Sequence, residues 1–120
     1  MATILIGILL VKHFIVDFLF QTKYQWRNKG IYMHPGGIIH AMLHGIATIT
    51  VFVFYDPHFA LFAGIADAVA HYHIDWAKVN ITQTAGWESN KHNEFWILVG
   101  LDQLLHQLTY IAIVAIYTLS

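Results

Sequence analysis

Apolar residues run almost unbroken through four stretches of this chain: Ala2 to Phe20, Gly37 to Tyr55, His58 to Trp76 and Phe95 to Leu119. Each is close to the ~20 residues an α-helix needs to cross ~30 Å of hydrocarbon, so the pattern predicts four transmembrane helices. His34-Pro35-Gly36-Gly37 breaks the chain before the second stretch, and Asp56-Pro57 makes a tight turn between the second and third. The first stretch follows Met1 with no basic segment and no small-residue cleavage site, and is expected to be a retained span rather than a removable signal. No repeat or linker divides the spans. The expected fold is all-α, one integral membrane four-helix bundle over residues 1–120.

The polar exceptions within these spans recur at helical spacing. His13/Asp17, His40/His44, His71/Asp75 and Asp102/His106 are each i, i+4 pairs, and Asp67 lies one turn before His71. Such pairs lie on one face of a helix. Counted from the ends that meet the two long connecting segments, all of them fall in one layer. At ~1.5 Å per residue, that layer lies roughly 5 to 16 Å below the interface. An ionisable group at membrane depth costs on the order of 3 kcal/mol, so such residues face the bundle interior and need partners. Nine of them at one level need a strong common partner, and a divalent cation is one. The metal ligands expected are His13, Asp17, His40, His44, His71, Asp75, Asp102 and His106, an inventory that suits two ions. Taken singly, each of these residues is an ordinary interhelical hydrogen-bonding group worth about 1 kcal/mol; agreement in spacing and depth is what favours a metal layer.

Composition changes the picture in three ways. With 58% hydrophobic and 11% charged residues and a mean hydropathy of +0.56, 120 residues carry more apolar surface than a soluble domain of this size hides. A net charge of −1 and six scattered Lys and Arg residues leave no stripe for nucleic acid. The absence of cysteine restricts any metal site to imidazole and carboxylate, which leaves zinc first, with iron or manganese as alternatives.

The basic residues orient the chain. Lys23, Arg27 and Lys29 fall in segment 21–36, Lys78 and Lys91 in segment 77–94, and none at the opposite ends. The positive-inside rule then puts both loops in the cytoplasm and both termini outside, in a multi-pass protein of the inner membrane. Tyr24, Trp26, Trp76, Trp87 and Trp96 lie near the cytoplasmic ends, as an aromatic belt would. Asn80-Ile81-Thr82 matches a glycosylation acceptor but sits on the wrong side for one.

Other polar residues take lesser parts. Lys12 sits mid-span and either snorkels to the interface or pairs with a carboxylate of the site. Gln21, Arg27, Lys78 and Gln103 read as groups that orient the ligands or the substrate, although an interfacial lysine is commonly a headgroup anchor. His34, His58, His73 and His92 are expected not to be ligands. The third stretch is rich in Ala and Gly, which suits close packing and, in a homodimer, an interface.

Together these motifs resemble a known family. Lys12-His13-Phe14-x-x-Asp17-Phe18-x-x-Gln21, Arg27-Asn28-Lys29, His40-x-x-x-His44, His71-x-x-Ile74-Asp75-x-x-Lys78 and Asp102-Gln103-x-x-His106 look like the successive motifs of small bacterial and phage membrane proteins grouped as domain of unknown function 3307. The resemblance implies an integral membrane fold and weight at these positions, and names no reaction. The pattern is similar, more distantly, to membrane-bound metal-dependent hydrolases.

The function expected is a metal-dependent hydrolase in the cytoplasmic half of the membrane. Two divalent ions would activate water, with Asp67 or Asp102 as the carboxylate that accepts its proton. Lys78, Arg27 or Lys91 would hold an anionic headgroup, making membrane lipid or a lipid-linked phosphoester the substrate class. Two other classes compete. A metal-ion or proton transporter would need polar residues through the full thickness, whereas the outer halves are apolar apart from threonines and a few tyrosines. A structural metal clamping a scaffold would show a closed, fully coordinated site.

Overall fold

The computed structural model describes residues 1–120, all of which belong to helices or their short connections. Helix α1 spans Ala2–Phe14 and runs on as a π-helical turn over Ile15–Leu19, closed by Phe20 N–H donating to Ile15 O at 3.1 Å. A short α2, Lys23–Asn28, follows; its first turn is capped by Thr22 Oγ1, which accepts from Gln25 N–H. α3 spans Pro35–Phe52, α4 Pro57–Ala85 and α5 Asn93–Leu119.

Local chemistry explains these boundaries. Proline opens both α3 and α4 at the first helical position, where its missing N–H has no intrahelical partner to lose. His34 Nδ1 accepts from Gly36 N–H ahead of α3, and Asp56 Oδ1 accepts from His58 and Phe59 N–H ahead of α4. α4 stops at Gly86, whose φ of 68° is the left-handed value that glycine tolerates at a helix end.

Two expected segments change. The segment 21–36 is not simply a loop, because α2 forms within it. The third span does not end at Trp76 but continues as helix to Ala85, so the connection to α5 shrinks to residues 86–92. Apolarity falls after Trp76, yet nothing in Ala77–Ala85 breaks a helix before Gly86. Asn80 fastens this extension by donating to Gly30 O at 2.9 Å and to Trp76 O at 2.8 Å.

Each long helix packs against two others, in the cyclic order α1, α3, α4, α5 and back to α1, within extents of 45 × 27 × 22 Å. The closest approach is α3 on α4 at Gly45 and Gly64. A Cβ on either glycine would come within 2.8 Å of the other's carbonyl oxygen. Part of the small-residue set of α4, with Ala60, Ala63 and Gly64 buried, is therefore used inside the chain, while Ala66, Ala68 and Ala70 stay half-buried.

Burial is inverted relative to a soluble domain. Of 26 buried residues, 11 are polar or charged, while Ile4, Phe18, Phe54, Ile97 and many other large apolar side chains are exposed. Three helical segments, Ala2–Leu19, Pro35–Phe52 and Asn93–Leu119, are long and apolar enough to cross a membrane. α4 is longer still, but Asp67, His71, His73 and Asp75 dilute its hydropathy. The apolar core, with Leu5, Leu9, Phe52, Ala63, Tyr110 and Val114 at its centre, occupies the end of the molecule near the Asp56-Pro57 turn. The polar layer lies on its other side.

Candidate metal centre

All eight residues expected as ligands come together from α1, α3, α4 and α5. The i, i+4 spacing that places each pair on one face is what allows the four faces to meet. On α1 the π-turn begins between His13 and Asp17, and π-turns inside helices frequently mark functional sites. Asp17 is ringed by imidazoles: its Oδ2 lies 3.0 Å from His13 Nε2, and its Oδ1 lies 3.0 Å from His40, 2.8 Å from His44 and 3.6 Å from His71, all at Nε2.

The donor atoms have the spacing of a coordination shell. At Zn–N and Zn–O distances near 2.0–2.1 Å, ligand atoms on a tetrahedron stand about 3.3 Å apart. His40 Nε2 and His71 Nε2 are 3.0 Å apart, and Asp75 Oδ2 lies 3.4 and 3.1 Å from them. On the other side of Asp75, Oδ1 is 3.2 Å from His106 Nε2, which is 3.3 Å from Asp102 Oδ1. Three groups could hold an ion: His13, Asp17, His44 and His71; His40, His71 and Asp75; and Asp75, Asp102 and His106. Asp75 offers one oxygen to each of the last two, as a bridging carboxylate does.

Three buried atoms here lack a hydrogen-bond partner: His13 Nε2, His71 Nδ1 and Asp102 Oδ1. Buried polar atoms are rarely left so. Two of them, His13 Nε2 and Asp102 Oδ1, are donor atoms of the groups above, which fits the residues to a cation.

Hydrogen bonds on the far ring nitrogens separate the histidines. Gln25 Oε1 can only accept, so His40 Nδ1–H donates to it at 3.3 Å, and in the neutral ring the lone pair of His40 is left on Nε2. This is the outer support that metal-bound histidines have. His44 is the opposite case. Lys12 Nζ can only donate, so His44 Nδ1 accepts from it at 3.3 Å, and His44 Nε2–H donates to Asp17 Oδ1. In that form His44 orients Asp17 and offers no lone pair.

Lys12 does not snorkel. It is 7% exposed, pairs with Asp67 Oδ2 at 2.6 Å, and also donates to Tyr110 Oη at 3.3 Å. Asp67 accepts a second bond from Thr48 Oγ1 at 2.5 Å and belongs to none of the three groups. Tyr110 Oη in turn lies 2.7 Å from His13 Nδ1.

The remaining predicted residues ring the end of the cluster nearest α2. Gln21 donates to Asp17 O and accepts from Lys29 Nζ at 3.2 Å. Gln103 donates to Asp102 Oδ2 at 3.0 Å, and Lys78 lies 3.7 Å from the same oxygen. Arg27 lies over the Trp26 ring and lines a cavity of about 440 Å³ together with Lys29 and Lys78. Lys91 pairs with Glu88 at 3.1 Å on the surface. His34, His58, His73 and His92 all lie outside the cluster: His34 caps α3, His58 is exposed at the start of α4, His73 faces Tyr32 at 3.1 Å, and His92 accepts from Glu88 N–H.

Four residues of the site were missed: Gln25, Lys29, Thr48 and Tyr110. Three carry a signal, since Gln25, Thr48 and Tyr110 each lie four residues beyond Gln21, His44 and His106. Lys29, which reaches Asp75 at 3.3 Å, is marked only by its place in the Arg27-Asn28-Lys29 motif.

Residues 4–120 match the family described as Protein of unknown function (DUF3307). No curated protein and no solved structure matches the chain.

Proposed function

The chain belongs to that family, and from this premise we propose that it is a membrane-embedded, metal-dependent hydrolase. It is a four-helix integral membrane protein of the inner membrane, with both termini outside and the α2 end cytoplasmic, where every Lys and Arg except Lys12 lies. Two divalent ions, zinc first, would occupy the polar layer: His40, His71 and Asp75 would hold one, with Asp17 beside it 3.0 Å from His40, and Asp75, Asp102 and His106 would hold the other. The observation that carries this reading is the spacing of ligand atoms from four helices at 3.0–3.6 Å around Asp17 and Asp75.

The substrate is a lipid or lipid-linked phosphoester of the cytoplasmic leaflet. Ions at these positions supply Lewis acidity and a nucleophilic water at neutral pH. The water oxygen forms the new bond to phosphorus and the ester P–O bond breaks, its electron pair leaving with the alcohol oxygen. Asp102 takes the water proton and returns it to that oxygen. We assign the base to Asp102 rather than Asp67, because Asp67 lies outside the three groups and its Oδ2 accepts from Lys12 and Thr48; its role in this reading is to anchor Lys12.

The apolar core between the cluster and the outer end argues against transport through one chain. A structural metal clamp is the second reading, favoured by burial: His40, His71, Asp75, Asp102 and His106 are each at most 3% exposed.

Elemental analysis of the detergent-purified protein tests the centre. Wild type is expected to carry about two ions per chain, Asp102→Asn about one, and Asp75→Asn neither, since Asp75 serves both sites. Phosphate release from dioleoyl phosphatidic acid is expected to fall by at least a hundredfold in Asp102→Asn. Chelator-resistant, metal-free protein overturns the metal reading; bound metal without turnover of any lipid phosphoester favours the clamp.

A further inference from the structure

Two cavities meet at Lys78. One, about 440 Å³, lies between α2, α4 and α5 and presents Arg27, Lys29 and Lys78 with Thr82 and Gln83 beside them. The other, about 270 Å³, is a crevice between α4 and α5 walled by Ile74, Ile81, Leu98, Leu101 and Leu105 and reaching Asp102. A cationic chamber joined to an apolar slot has the shape of an amphiphile, with a charged head on one side and a hydrocarbon chain on the other.

The lysines of this chamber are held differently from the one in the core. Lys12 sits at 2.6 Å from Asp67 with its side chain 6% exposed. Lys29 and Lys78 reach Asp75 and Asp102 over longer distances, 3.3 and 3.7 Å, from the rim, with side chains 12% and 24% exposed. The lysine ends are the partly solvated members of these pairs, so each can turn from its buried carboxylate to an equivalent anion at the rim. Charge points the same way. Four carboxylates, Asp17, Asp67, Asp75 and Asp102, face three lysines, so the cluster is close to neutral without ions. Cations bound at Asp75 and Asp102 would repel Lys29 and Lys78 unless a second anion took the lysines up.

We propose that this second anion is the phosphate of a phosphomonoester lipid, seated among Arg27, Lys29 and Lys78 with its chain in the α4–α5 crevice. The proposal rests on the hydrolase reading, whose substrate class it names. A phosphomonoester carries about −1.5 to −2 at neutral pH and offers three acceptor oxygens, a match for three cationic side chains that a zwitterionic headgroup lacks. Docking draws Lys78 off Asp102 Oδ2, which leaves the lone pair not taken by Gln103 open to receive the proton. Gln103 keeps the carboxylate in place meanwhile. Substrate binding and base activation thus become one event.

The test uses the full chain in phosphatidylcholine nanodiscs, with dioleoyl phosphatidic acid as probe and bound lipid read by native mass spectrometry. Phosphatidic acid is expected to be retained over phosphatidylcholine. Inorganic phosphate is expected to compete only at about a hundredfold higher concentration, the margin that about four buried methylenes supply. Lys29→Met/Lys78→Met is expected to lose the preference by tenfold or more while binding metal at least as tightly as wild type, because two carboxylates are freed. A merely structural role for the lysines would lower both. Leu101→Trp, which fills the crevice, is expected to lose the lipid and keep weak phosphate competition, and serves if the double variant does not fold.

No preference over phosphatidylcholine, a preference unchanged in the lysine variant, or inorganic phosphate binding as tightly as the lipid would each overturn the proposal. A lysine-dependent preference in protein that holds no metal would uphold the lipid site and sink the hydrolase reading. Metal without a lipid preference would do the reverse.

Discussion

The buried pair Lys12–Asp67 offers a quantitative check on the whole arrangement. At 2.6 Å and an effective dielectric constant of about 20, the gross attraction is about 6 kcal/mol, against several kcal/mol of desolvation for each ion. The pair is therefore worth little compared with two apolar side chains, yet each member alone is costly. Lys12→Met leaves Asp67 with Thr48 as its remaining partner and should destabilise by about 3–5 kcal/mol. Asp67→Leu strands Lys12 with Tyr110 and His44, neither of which is anionic, and should cost a similar amount. The double variant should recover most of the loss and come within about 2 kcal/mol of wild type. Denaturant-induced unfolding of all four proteins in one detergent, followed by circular dichroism, completes the cycle. If Lys12→Met falls within about 1 kcal/mol of wild type, or the two effects simply add, Lys12 is not an internal cation and the snorkelling alternative is right. The double variant separates stability from function: with His44 and Tyr110 released from Lys12, metal affinity should fall even as stability returns.

Three further outcomes follow from particular contacts. Gln25→Ala should weaken metal binding by about 10- to 100-fold by removing the support of His40 Nδ1, seen in a chelator titration without loss of helicity. Gly45→Val should destabilise by about 1–3 kcal/mol by pushing α3 off Gly64, whereas Gly100→Ala, where nothing lies within 4 Å of an added Cβ, should be neutral or better in the same unfolding assay. Because the chain has no cysteine, Ser89→Cys and Tyr55→Cys can each be labelled singly in inverted and right-side-out vesicles; Ser89→Cys should react only from the cytoplasmic face and Tyr55→Cys only from the outer one.

Much of this protein can be read along a single helix. The apolar stretches mark out the α1, α3 and α5 segments, and the i, i+4 stripes mark the faces that meet at the cluster. The separation of His71 from His73 also follows from spacing, since His71 alone is four residues from Asp75. Asp67 shows where that logic stops. It is four residues from His71 and on the same stripe, yet it pairs with Lys12 and Thr48 beyond the metal groups, because a stripe climbs the helix and its upper end meets different neighbours. Gln25, Thr48 and Tyr110 were passed over because a neutral amide or hydroxyl is unremarkable in one helix; its importance depends on which imidazole or carboxylate it touches.

Periodicity is a property of one segment, so the sequence by itself determined the four apolar spans, their polar faces, the common level of the His/Asp layer and the clustering of basic residues at one end, but not α2 or the run of α4 past Trp76. Pairing depends on how helices are rotated and how closely they approach, and only the tertiary structure decided it. The Gly45–Gly64 contact brings α3 onto α4 and sets His40 against His71. The return of segment 21–36 over that end places Gln25 behind His40 and Lys29 against Asp75. Each of those partners lies 15 or more residues away along the chain, where a repeat of 3.6 residues carries no information.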